Sequence, residues 1–175
     1  VPMKETAQSP ALGEALERLL KNRIRVEYHP VEEKLPLGCS KFGGAPHLPE
    51  GFQWPWYHGE KLGYSGGEFV TTAADCPLSF LCQINLAEAA PLDRDGLLPK
   101  SGLLSFFYEL DSQPWGYSPE HRGGARVYYF PEEASLAEAA FPAELEEDFH
   151  LPELALNWEA APCLPDWSDL EILAP

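Results

Sequence analysis

Residues 63–67 read GYSGG, the G-x-S-x-G spacing in which a serine nucleophile is forced out at a sharp turn between a buried strand and a helix. Here WYHGEKL precedes the serine and EFVTTAADC follows it, and neither supplies that setting, so a glycine turn is expected instead. FGGAPHLP, residues 42–49, offers two glycines but no Lys-Ser/Thr ending. Pro46 and Pro49 would also break the helix whose amino terminus must hold a phosphate. The five histidines (29, 47, 58, 121 and 150) show no H-x-x-x-H, and the four cysteines (39, 76, 82 and 163) no C-x-x-C. A metal centre would require folding to gather His47, His58 and Cys39, and a Cys–His nucleophile pair is equally unconstrained. No catalytic residue, metal ligand or cofactor is therefore assigned.

Two other groups of residues carry recognition chemistry. Gln83 and Asn85 stand two apart on a strand pattern, so both amides face one side, and with Trp54 and Trp56 they would form a small-ligand pocket by stacking and amide hydrogen bonds. Trp54, Trp56, Tyr57, Trp115 and Tyr117 lie beside Gly and Pro in loops. Such rings either plug the core or line a recognition surface, and plugging is the expectation.

The elements that must position these residues follow from periodicity. SPALGEALERLLKNRI, residues 9–24, predicts a helix capped by Ser9 with Pro10 at its first position and Leu12, Leu16, Leu19 and Leu20 on one face. RIRVEYH then alternates Ile24, Val26 and Tyr28 against Arg23, Arg25 and Glu27. Residues 31–76 predict loop with short strands. PLSFLCQINL predicts a strand with Leu78, Phe80, Cys82, Ile84 and Leu86 on one face, and GLLSFFYEL, ARVYYF and ELALNWE predict three more. Residues 87–100 predict a connection with a helical turn, and the Ala- and Glu-rich EEASLAEAAF a short helix. Together these give an α+β fold: an N-terminal helix plus antiparallel sheets, with long Gly/Pro/aromatic loops. Proline, at 18 of 175 residues, enforces those loops. The length fits one domain over residues 1–175, made of a helix and first strand (1–29), a core (40–130) and an acidic segment (131–175).

Charge is the most informative part of the composition. The chain carries a net −16. Residues 1–29 are net +1 and residues 30–130 net −5, whereas residues 131–175 hold twelve acids and no Lys or Arg. Nucleic acid and anionic membrane surfaces are disfavoured partners, because both are bound through Lys and Arg. A basic protein is the partner such a field attracts. The amino terminus has no apolar core of a signal peptide and no run approaches a membrane span, so a cytoplasmic protein with reduced thiols is expected.

SKFGGAPHLPEGFQWP, PLSFLCQINL, LLPKSGLLSFFYELDSQPWG and ARVYYF, in this order from Ser40 to Phe130, resemble the YwqG-like family, a bacterial family of uncharacterised function. The resemblance implies a cytoplasmic α+β protein with antiparallel sheets. It carries over no catalytic residue; Gly43, Gly44, Pro46, Trp54, Pro55, Gln83, Asn85, Trp115 and Gly116 match as signature positions. Family members tend to continue into a second half that loosely repeats the first, and the expectation is that this chain is either a short relative keeping one half or a piece that stops before the second.

The resulting expectation is a non-enzymatic module that docks a basic protein, one form being an immunity protein that neutralises a bacterial toxin. Glu146, Glu147, Asp148, Asp166 and Asp169 would steer and pair at the rim, and Trp158 or Trp167 would anchor. The alternative is an enzyme or small-ligand binder using the Trp54, Trp56, Gln83 and Asn85 pocket.

Overall fold

The computed structural model describes residues 17–131 and 135–164. Twelve strands follow one another: β1 (Lys21–Pro30), β2 (Lys41–Phe42), β3 (His47–Pro49), β4 (Trp56–Tyr57), β5 (Glu60–Ser65), β6 (Glu68–Ala73), β7 (Cys76–Pro77), β8 (Ser79–Asn85), β9 (Leu103–Tyr108), β10 (Ala125–Phe130), β11 (Leu136–Glu138) and β12 (Leu154–Cys163). Six of them form one antiparallel sheet in the order β1-β12-β2-β8-β9-β10, and the rest pair as β11-β3, β4-β7 and β5-β6. The short helix α1 (Leu86–Ala89) is capped by Asn85, whose side chain accepts from the Ala87 amide.

The described chain is thus mostly antiparallel β, and the expected α+β fold with an N-terminal helix is corrected. Half of the helix expected over residues 9–24, residues 9–16, lies outside the described residues. Of its described residues only Glu17–Leu19 are helical, and from Lys21 the chain is already extended. The Ala- and Glu-rich stretch supplies a strand instead. Leu136, Ala137 and Glu138 pair with Pro49, Leu48 and His47, and the Ala139 amide donates to Pro46 O at 2.8 Å. Tertiary pairing overrides the weak helix preference of those residues.

A β-bulge corrects the expected faces of β8. Phe80 stands opposite Phe107 but Cys82 opposite Phe106, so Leu81 is the extra residue. Gln83 and Asn85 consequently share the core face with Phe80, while Cys82 and Ile84 turn to the other side. The core on that face joins Leu78, Phe80, Leu103, Phe107 and Phe130 to Leu48 and Tyr57 from the loops above. Trp54 lies over it, its ring 5.4 Å from that of Phe107 and its indole N–H donating to Leu78 O at 2.8 Å.

Candidate functional site

The segment from Trp56 to Pro77 is one long interrupted hairpin. Its base, β4 against β7, sets Trp56 opposite Pro77 and Tyr57 opposite Cys76; beyond it β5 pairs with β6 from Glu60↔Ala73 to Ser65↔Glu68. Gly66 and Gly67, both with positive φ (62° and 90°), make the two-residue turn. Ser65 is therefore a hairpin-tip residue followed by a strand, and the G-x-S-x-G spacing has no nucleophile elbow beneath it.

Base and arm differ in burial. Tyr57 is fully buried, with its hydroxyl accepting from the Glu60 amide and lying 2.9 Å from Glu60 O and 3.1 Å from Glu120 O. The arm projects: Leu62, Tyr64, Phe69 and Thr71 share one face, with Tyr64 68% and Phe69 74% exposed and their rings 5.3 Å apart.

A second exposed aromatic group stands on the loop between β9 and β10. Trp115 is 79% and Tyr117 87% exposed, their rings 6.2 Å apart. Of the five loop aromatics expected to plug the core, these two do not. Trp54 and Tyr57 pack inward, and Trp56 is half-buried with its ring stacked on His58. The loop is shaped by Glu109, a buried carboxylate that accepts from the amides of Asp111 and Ser112 at 2.8 and 3.0 Å and from the Ser112 hydroxyl. The Tyr108 hydroxyl donates to Pro114 O at 2.9 Å.

Lys61 ties the arm to this loop, its ammonium 2.7 Å from Asp111 and 3.6 Å from Glu109. Burial pulls the Lys61 pKa down, but the Asp111 hydrogen bond and the surrounding carboxylates outweigh it and hold Lys61 above its ordinary value. Glu144, Leu145, Glu146 and Phe149 complete a cleft of about 50 Å³ around Lys61, Cys76, Glu109 and Asp111. Burial raises the Cys76 pKa, with Lys61 opposing, so the thiol stays protonated at neutral pH.

The acidic segment packs against this end. Leu145 is buried, Phe141 stacks on His150 at 4.0 Å and meets Trp54 at 5.8 Å, and Glu144, Glu146, Glu147 and Asp148 are left exposed. The structure therefore brings the expected steering acids Glu146, Glu147 and Asp148 to the end from which the aromatic arm and loop project. Trp158 lies elsewhere, half-buried on β12 with its indole N–H 3.3 Å from Glu88, and Asp166, Trp167 and Asp169 lie outside the described residues. The arm aromatics were missed in the sequence, although alternation on both sides of Gly66-Gly67 is a hairpin signal.

The four residues of the alternative pocket do not converge on one cavity. Gln83 is fully buried: its carbonyl accepts from the His47 amide at 2.9 Å, and its amine donates to Cys39 O at 2.7 Å and to His47 Nδ1 at 2.8 Å. The Asn85 amine donates to Gly38 O at 2.9 Å and its carbonyl caps α1. These amides fasten the 38–47 loop to β8.

His47 Nδ1 also accepts from the Gly38 amide at 2.9 Å, which fixes a neutral imidazole with its proton on Nε2. Burial and then the Lys41 ammonium lower its pKa below the ordinary 6.5. Because the unfolded chain takes up this proton first, the stabilisation is complete above about pH 6.5 and is lost as pH falls below it towards the folded value. Urea midpoints measured between about pH 7 and pH 5 should fall more steeply for the wild type than for His47→Gln. Equal slopes would show that His47 does not carry the effect.

No helix among the described residues is long and apolar enough to cross a membrane. No curated protein matches the chain. The family described as a domain of unknown function, DUF1963, matches residues 40–172, from the loop fastened by Gln83 through the acidic segment and β12, and the chain belongs to that family.

Proposed function

We propose that this protein is a non-enzymatic binding module that docks a basic protein through its aromatic and acidic end. The carrying observation is the placement, on one scaffold, of an exposed Leu62, Tyr64 and Phe69 face, an exposed Trp115 and Tyr117 pair, and the acids Glu144, Glu146, Glu147 and Asp148. A lone two-stranded hairpin is marginally stable, and exposed aromatics that cover nothing are the usual anchors of a protein interface. The acids form the rim that steers a cationic partner, and Asp166 and Asp169 contribute to the chain's net negative charge. Within DUF1963 we place the chain with the YwqG-like proteins, on the F-G-G-x-P, Q-I-N-L and W-G residues, and in a cytoplasm. A basic toxin shielded by an immunity protein is the most concrete form of such a pair.

The test is capture from an extract of the source cells by the wild type, Tyr64→Ser/Phe69→Ser and Trp115→Ser/Tyr117→Ser. These exposed positions should leave stability within about 0.5 kcal/mol of the wild type while weakening retention of a basic protein by roughly tenfold or more. Retention of the same proteins by all three would overturn the reading.

A further inference from the structure

Strand β1 forms one edge of the six-stranded sheet, and from Asn22 to Pro30 its outer edge has no backbone partner among the described residues. Such an edge is a template for another strand unless its charges forbid pairing. On β1, Arg23, Arg25 and Glu27 face one side, and Ile24, Val26 and Tyr28 the other, where Tyr28 is 68% exposed. In an antiparallel pairing of the strand with itself, the pleat admits only registers that oppose residues of one face. A two-fold axis at Ile24 sets Arg23 against Arg25, an axis at Arg25 sets that residue against itself, and an axis at Glu27 does the same for the carboxylate. Of the axes that overlap seven or more of the strand's ten residues, only the one at Val26 is free of like pairs. There Arg25 of each copy meets Glu27 of the other, Ile24 meets Tyr28, and Arg23 meets the imidazole of His29.

That register also suits the neighbouring strand. Arg25 already stands opposite Glu159 of β12, so a row of alternating charge continues across the axis, and Val26 stands opposite Trp158, so an apolar row does too. The edge belongs to the chain's one segment of net positive charge, where two copies of a −16 protein repel least. We propose that a second copy of this chain adds to β1, antiparallel and with Val26 on the axis, forming a two-fold dimer with one continuous sheet. None of the residues in the proposed partner face lies on β1, so the two readings stand independently.

Sedimentation equilibrium of the full chain over a range of concentrations tests it, with Arg25→Glu, Glu27→Arg and the double variant R25E/E27R. The wild type should dimerise. Each single variant sets like charges together at two symmetric places and should weaken the dimer roughly tenfold, whereas the double variant restores opposite charges and the dimer with them. Far-UV circular dichroism identical to wild type would show that each variant is folded. A wild type that stays monomeric, a dimer indifferent to both single changes, or a double variant as weak as the singles would overturn the proposal.

Discussion

Replacing Lys41 or Glu153 with alanine should destabilise the protein by about 3–5 kcal/mol, with the larger loss for Glu153. Lys41 is fully buried on β2, and its ammonium lies 2.6 Å from both Ala45 O and Glu153 Oε1. Removing Glu153 leaves that ammonium buried with one carbonyl. Removing Lys41 strands a carboxylate that is a third exposed, and water recovers part of its loss. Joint replacement, Lys41→Met with Glu153→Leu, should cost less than the sum of the single changes, because neither then leaves an uncompensated buried charge. Urea denaturation of the three variants measures this. Losses under about 1 kcal/mol for both alanine variants would mean that the pair does not hold the loop.

Gly43→Ala should cost about 3 kcal/mol or more, enough to unfold a marginal domain. Gly43 has φ of +57°, and a Cβ there would collide with Pro152 O and lie 2.7 Å from Leu151 O, both backbone atoms that cannot swing away. Its amide donates to Leu81 O and that of Gly44 to Leu151 O, at 2.8 and 2.9 Å, so this turn closes against both the bulge of β8 and the approach to β12. Gly51→Ala is the control. Its φ is +75°, but nothing lies within 4 Å of a Cβ, so only the conformational penalty of about 1 kcal/mol applies. Thermal unfolding of both separates steric exclusion from backbone strain, and equal losses would refute the close approach.

How far the sequence carried depended on whether local period or tertiary pairing decided each element. Strands β1, β9, β10 and β12 repeat with period two and were readable, because each keeps a polar or apolar row that a one-residue slip would ruin. Strand β8 has the same surface pattern, but the extra residue at Leu81 reverses its faces beyond that point, and nothing local marks the insertion. That reversal sends Gln83 and Asn85 inward to bind backbone, where a regular strand would have presented them away from Phe80. Strand β11 carries Ala and Glu residues that favour a helix, and only pairing with β3 decides against it. The acidic segment was visible as charge. Its meeting with Lys61, Asp111 and the aromatic arm depends on contacts between residues more than 30 positions apart, which no window of sequence records.

The most direct test of the binding module is the association rate of the captured basic partner as a function of ionic strength, for the wild type and for Glu146→Lys/Glu147→Lys/Asp148→Lys. If the acidic end steers the partner, association with the wild type is fast and falls steeply with salt. The triple variant should then associate roughly 10- to 100-fold more slowly at low salt, with a nearly flat dependence. Identical rates and identical salt dependence for the two proteins would contradict the account.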